Sequence, residues 1–286
     1  MNLYEEVTSR IISELENGAI PWCKPWKADS SANKNIVSGK AYRGINRLLL
    51  GMQSMGCSYS SPYWGTFKQW QERGSFVRKG EKGTKIVFFS PVEKTVKNAA
   101  GEDETEQYAV LKSYFVFNSE QVDGAEIPVP ATVRTEFEAH QESEKTILDS
   151  GAAISWGGDA AFYAPGPDRI QLPQKASFDT PAHYYATAFH ELVHWTGAKH
   201  RLDRDLSKGR YGDSKYAFEE LVAELGAAFL CQEHGIAGDL RHAGYIQSWL
   251  KALRDDSKAI FKASALAEKA AEFVQNQNAT AEPIAA

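Results

Sequence analysis

Residues 190–200 read HELVHWTGAKH. His190 and His194 stand four apart, so a helix puts both imidazoles on one face. Glu191 falls between them. At this spacing a helix holds one Zn²⁺ with two ring nitrogens and aims a carboxylate at a metal-bound water. The metal draws the pKa of that water down toward about 7, and the glutamate takes its proton as general base. HExxH fixes only three positions, so the surrounding sequence has to support it.

The surroundings do. Thr180–Pro181 is an N-cap followed by proline at the first helical position, and Gly197 is a stop signal. Between them the text predicts one amphipathic helix that buries Tyr185, Ala188, Phe189 and Leu192, with His183, Thr187, His190 and His194 on another face. A third protein ligand is expected from the next helix, KYAFEELVAELGAAFL, where Glu220 and Glu224 share a face one turn apart. Acidic groups amid apolar residues are costly unless paired or bound to metal. Glu220 is the simplest ligand, with Glu224 accepting a hydrogen bond from a histidine N–H. His200 is the alternative, because HELVHWTGAKH also matches the three-histidine pattern HExxHxxGxxH. That pattern goes with a methionine turn downstream, and the methionines here, Met1, Met52 and Met55, all lie upstream. Short strands precede the motif, with Asp168–Leu172 expected to be an edge strand beside the metal. Tyr211, Tyr216 and His183 are candidates for stabilising an oxyanion.

Ahead of this region the chain changes character. The 286 residues carry a net charge of −5, but unevenly. Met1–Lys97 holds 15 Lys+Arg and 8 Asp+Glu, a net +7; the remainder holds 17 and 29, a net −12. Ala19–Asn98 alone holds 14 and 4, a net +10. Such asymmetry points to two domains, the first with an anionic partner. Aromatic residues are interleaved with the bases, an arrangement that suits single-stranded nucleic acid: rings stack on bases while cations neutralise phosphates. Trp22, Trp26 and Tyr42, read as loop residues, are the favoured stacking platforms. GxxxxGK[ST] is absent, so no nucleotide hydrolysis is indicated. Three scattered cysteines fit a reducing compartment, and no apolar run reaches the roughly 18–20 residues of a membrane span. The protein is expected to be cytoplasmic.

Local signals predict a helix over Leu3–Leu15 ended by Asn17–Gly18, a short helix after Asn46, and a second starting near Trp64. They also predict a β-hairpin over residues 85–117 with a long mobile tip, a helix from about 133 to 148, and two final helices split near Asp255–Asp256.

The segments IPWCKPW, KAYRGIN, SPYWGTFKQW and VRKGEKGT resemble the N-terminal domain of ArdC-type antirestriction proteins, a domain also found in TraC-type plasmid primases. FYAPGPDRIQLP, HELVHWTGAKHRLDR and YAFEELVAELGAAFL resemble the zincin-like metallopeptidase domain that follows it. The resemblance implies an α+β protein of two domains. One is a basic domain over residues 1–125 that binds single-stranded DNA and carries the β-hairpin. A linker at 126–132 leads to a gluzincin-related domain at 133–275, followed by a disordered tail at 276–286. It implies a plasmid-borne protein that protects incoming conjugative DNA from restriction. The expected metal site is His190, His194 and Glu220 with Glu191 as catalytic base, holding Zn²⁺ or else Mn²⁺. The expected DNA surface is Trp22, Lys24, Trp26, Lys27, Lys40, Tyr42, Arg43, Asn46, Arg78, Lys79, Lys82 and Lys85. A protein substrate, such as a restriction–modification subunit, is expected as a further partner, and a membrane is not.

Overall fold

The computed structural model describes residues 2–22, 32–97, 103–127, 136–204, 206, 214–236 and 245–280. Helix α1 (Leu3–Glu16) starts at a capping box. The Asn2 side chain accepts from the Glu5 N–H, and the Glu5 carboxylate accepts from the Asn2 N–H. It buries Val7, Ile11 and Leu15, the stripe its periodicity predicts, and the chain turns away at Gly18 with φ 77°. Helix α2 (Ile45–Cys57) is longer than the run of leucines suggests.

Strands β1 (Lys34–Asn35), β2 (Tyr63–Thr66), β4 (Thr84–Lys97) and β5 (Asp103–Asn118) form one sheet in the order β1-β2-β5-β4. A two-residue ribbon, β3 (Phe76–Val77) with β6 (Val122–Asp123), stands beside it. Trp64, expected to begin a helix, lies in β2, and helix α3 (Phe67–Glu72) starts only after Thr66. The reason is local: Thr66 and Gln69 form a reciprocal capping box that sets the boundary there. Position 65 of β2 has room only for glycine, since a Cβ would stand 2.8 Å from Ile36 Cγ2 and 3.0 Å from the Trp70 ring nitrogen. The β4–β5 hairpin forms as expected, but its ladder runs on to Lys97↔Asp103 through residues read as a loop tip. Residues 98–102, the rest of that tip, lie outside the described residues.

Strands β7 (Ala153–Trp156), β8 (Phe162–Ala164) and β9 (Arg169–Leu172) make a second sheet in the order β7-β9-β8. The expected edge strand is therefore the central one. β9 pairs in parallel with β7 and antiparallel with β8, which buries Ile170 and Leu172 completely. The edges are β7 and β8, and β8 and β9 both lie against the helix that carries the motif.

That helix, α5 (Pro181–Thr196), packs with α4 (Glu136–Asp149), α6 (Ser214–His234) and α8 (Ala259–Thr280); α7 (Ile246–Asp255) covers α6 and α1. The split of the last two helices falls where the sequence places it. Helix α8 buries a stripe of Ala263, Ala267, Ala270, Ala271 and Val274, and its backbone continues to Thr280, past the expected start of a tail. Most of the expected linker and the start of the 133–148 helix fall at 128–135, outside the described residues, as do 281–286.

One hydrophobic core runs through both halves, joining Val7, Ile11, Leu15, Trp22 and Leu48 to Phe189, Leu225, Trp249 and Ile260. A buried cation fastens the same junction. Arg47 of α2 donates to Gln232 Oε1 at 2.7 Å, to Glu233 Oε1 at 2.6 Å and to the Phe229 carbonyl, and lies 4.6 Å from the Phe229 ring centre. Among the described residues no helix is long and apolar enough to cross a membrane.

Candidate metal centre

Helix α5 begins as its caps dictate: Thr180 Oγ1 accepts from the His183 N–H, and Pro181 occupies the first turn. This start puts the HELVH segment in the last two turns. Helix α6 crosses closely, at a point where Gly226 lies under Val193; a Cβ on Gly226 would stand 2.7 Å from Val193 Cγ2. Three donor atoms from the two helices converge. His190 Nε2 and His194 Nε2 are 3.1 Å apart, and each lies 3.5 Å from an oxygen of Glu220. Among the described residues, His190, His194 and Glu220 are the group whose ligand atoms gather within 4.8 Å of one another. Donor atoms at 2.0–2.1 Å from a tetrahedral metal lie about 3.3–3.4 Å from each other, so these three are already spaced to share one ion.

The outer ring nitrogens face carboxylates. His194 Nδ1 is 3.2 Å from Glu219 Oε1, and His190 Nδ1 is 3.7 Å from Glu224 Oε1. A proton on Nδ1 leaves the Nε2 lone pair pointing at the shared centre. Glu224 faces His190 at more than hydrogen-bond length, and the shorter contact belongs to Glu219. Glu219 is in turn held by Arg204, through Nε to Oε2 at 3.1 Å and Nη2 to Oε1 at 2.9 Å. The same guanidinium donates to Thr196 Oγ1 at 2.8 Å and to the Val193 carbonyl at 2.5 Å, so Arg204 ties the end of α5 to α6. Gly197 leaves the room for it; a Cβ there would meet Arg204 Nη2 at 2.9 Å.

The electrostatics call for a cation. Glu191, Glu219, Glu220 and Glu224 are all buried around the two imidazoles, and Arg204 is the buried guanidinium beside them. Burial opposes charge on His190, but the Glu220 carboxylate overcomes it and raises the imidazole above its ordinary value. Burial opposes charge on His194 too, and Glu219 with the neighbouring carboxylates lifts it to about 9. Burial pushes the Glu220 carboxyl up, yet His190 and His194 hold it down at about 2. The surrounding carboxylates thus favour positive charge at this point. The donor set fits a divalent metal both in spacing and in charge.

The other sequence candidates fall as follows. His200 stands apart from this group: Gly197 ends the helix, and the turn carries its side chain outward to 64% exposure, 3.4 Å from Asp168 Oδ2 and accepting from Arg201 Nη1 at 2.6 Å. It is corrected from possible ligand to partner of Asp168. Tyr216 is beside the centre, one turn before Glu220, with its hydroxyl 3.0 Å from that of Tyr245. His183 is half-buried two turns ahead of His190, and Tyr211 lies outside the described residues.

The expected DNA surface is partly dismantled. Trp22 is buried edge-on against Trp249 and belongs to the core. Asn46 is bound to backbone: its amide donates to the Val87 carbonyl at 2.7 Å and accepts from the Val87 N–H at 2.8 Å, capping the open edge of β4. Tyr42 accepts from Asn35 Nδ2, and burial raises its phenol. Arg43 pairs with Glu272, Arg78 with Glu81, and Lys85 with Glu6. Lys40, Lys79 and Lys82 are exposed, while Lys24, Trp26 and Lys27 lie outside the described residues.

The chain is similar to known proteins along its whole length. The profile of the N-terminal domain of the anti-restriction factor ArdC matches residues 1–117, and that of a zincin-like metallopeptidase matches residues 141–266. The protein y4eC of Sinorhizobium fredii (strain NBRC 101917 / NGR234) is 40% identical over 290 residues, covering 98% of this chain and 94% of that protein. A DNA primase TraC of Escherichia coli is 41% identical over 292 residues, which cover 95% of this chain but 27% of the primase. The metal-free crystal structure of the antirestriction ArdC protein from the R388 plasmid superposes with a TM-score of 0.81 at 39% identity, covering 99% of this chain and 100% of that one. Its Mn(II)-bound structure gives 0.80 at 38% identity. With both profiles in order and a full-length structural match of this identity, the chain belongs to the ArdC antirestriction family.

Proposed function

We propose that this protein protects incoming conjugative DNA from restriction in the cytoplasm by combining single-stranded DNA binding, through its basic region over residues 1–125, with a metal-dependent peptidase centre in residues 133–275. The observation that carries the peptidase half is the convergence of His190, His194 and Glu220 beside Glu191. His190, His194 and Glu220 would hold a divalent cation, Zn²⁺ or Mn²⁺, which would supply Lewis acidity for attack of water on a peptide carbonyl. Glu191 takes the proton of the attacking water and delivers it to the leaving amine. Tyr216, whose hydroxyl adjoins Glu220, donates to the developing oxyanion. Glu219 and Glu224 orient the two imidazoles. The substrate is a protein met near the DNA, such as a restriction–modification subunit.

Restriction protection and single-stranded DNA binding, measured side by side for wild type and Glu191→Ala, test this reading. We expect the variant to keep metal and DNA binding, to lose cleavage of restriction subunits and to lose protection. Full protection by the variant would overturn the peptidase role and leave DNA shielding alone, with an idle or structural metal.

A further inference from the structure

The rings that the sequence offers for stacking are buried, hydrogen-bonded or outside the described residues, yet the basic half is not without exposed aromatics. Phe67 on α3 and Phe76 on β3 stand out singly, and four more, Phe88, Phe89, Tyr114 and Phe115, gather on the β4–β5 hairpin. Directly opposed residues of an antiparallel pair share a face, and Phe88 opposes Lys112 while Ile86 opposes Tyr114. Phe88, Lys112 and Tyr114 thus stand together on one face, with Phe88 56% and Tyr114 46% exposed and their centroids 6.4 Å apart. At the base of this face Ile86 and Val116 sink into the small core around Leu50 and Trp64, so the platform is anchored. The opposite face carries Phe89 and Phe115, but there Lys85 is engaged by Glu6 of α1 and lies 5.7 Å from the Phe115 ring centre.

Charge identifies the occupant. No acidic residue occurs in Thr84–Ser90 or Val110–Val116, while Lys85 and Lys112 do. The turn leading into β4 adds the exposed Lys79 and Lys82. None of Lys79, Lys82 and Lys112 forms an ion pair with a described residue. A second copy paired through this same face would set like charges against each other, whereas a polyanion with planar bases suits both of its features.

Building on the single-stranded DNA binding proposed above, we infer that the Phe88–Tyr114 face of the hairpin is the base-stacking platform, with Lys112 and the Lys79–Lys82 turn neutralising the adjoining phosphates. Full-length protein titrated with a fluorescein-labelled thymidine oligonucleotide tests it. Each ring removed, Phe88→Ala or Tyr114→Ala, is expected to weaken binding by about five- to 150-fold with the salt dependence unchanged. Lys112→Gln is expected to lower the slope of log K against log salt by about 0.7. Phe88→Trp keeps a stacking surface and should keep the affinity, which separates lost stacking from lost folding; Phe115→Ala, on the other face, should bind as wild type. Unchanged binding by Phe88→Ala/Tyr114→Ala would overturn the platform and leave DNA binding to another surface. Failure of wild type to bind would remove both readings. A change of oligomeric state in the double variant would overturn the assignment in favour of a contact between copies.

Discussion

Arg204→Met severs the tie between α5 and α6 and gives the sharpest test of how the centre is built. The guanidinium makes four hydrogen bonds, and its side chain and that of Glu219 are only 4% and 11% exposed. Methionine fills similar space but leaves the Glu219 carboxylate buried with His194 as its nearest remaining partner. Breaking a buried pair from one side costs about 3–5 kcal/mol, because the surviving charge loses its compensation. In a chain of this length that lowers Tm by about 10 °C. The Thr196 hydroxyl already donates to the Val193 carbonyl at 2.7 Å, so these two groups keep a partner without Arg204. The double variant Arg204→Met/Glu219→Leu removes both charges and should recover most of the loss. Metal affinity should not recover with it, because His194 Nδ1 then lacks its acceptor; a decrease of about 10–100-fold is expected. Calorimetry in chelator reads stability, and titration with Mn²⁺ or Zn²⁺ reads affinity. A loss below about 1 kcal/mol for the single variant, or a double variant no more stable than the single one, would refute the reasoning.

Chelation should itself lower Tm. An ion bound only by the folded state stabilises it by about 2.7 kcal/mol at a hundredfold excess over Kd, and His190→Ala should make the melting curve indifferent to added metal. Gly226→Leu places side-chain atoms where Val193 already lies and should cost about 1–3 kcal/mol in urea unfolding while spreading the two helices. Asp168 gives a pH signature. Arg201 holds its carboxyl at about 2, against an ordinary 3.8, so the contribution to stability is complete above pH about 4 and is lost as pH falls toward 2. Asp168→Asn, which tolerates the φ of 50° at this position, should flatten the urea midpoint over that window; an unchanged acid slope would count against the pairing.

The centre was largely legible in the text because its signals are local. Thr180, Pro181 and Gly197 bracket α5, and helical spacing alone groups His190 with His194. Glu220 could be named because an acid in an apolar helix needs a reason. Glu219 was missed because its value comes from Arg204, which reaches it from a turn whose path no periodicity encodes. His200 matches a pattern but stands apart for the same kind of reason: four residues past the helix end, spacing no longer fixes direction. Aromatic residues are the least legible. Composition reports that rings and cations share a region, but the side of a sheet on which a ring falls depends on register. Trp22 went to the core and Phe88 to solvent, a distinction that only strand pairing and helix docking supply.

Arg47 has a consequence for how such a protein is inherited. Its hydrogen-bond acceptors lie on α6, some 180 residues downstream, and the core beneath it draws on both ends of the chain. A gene cut between the two profile-matched regions would leave a buried guanidinium without acceptors on one product and bare apolar helix faces on both. Recombination that keeps the whole stretch together leaves each product folded. The primase match has this form: 95% of this chain corresponds to 27% of a far longer protein.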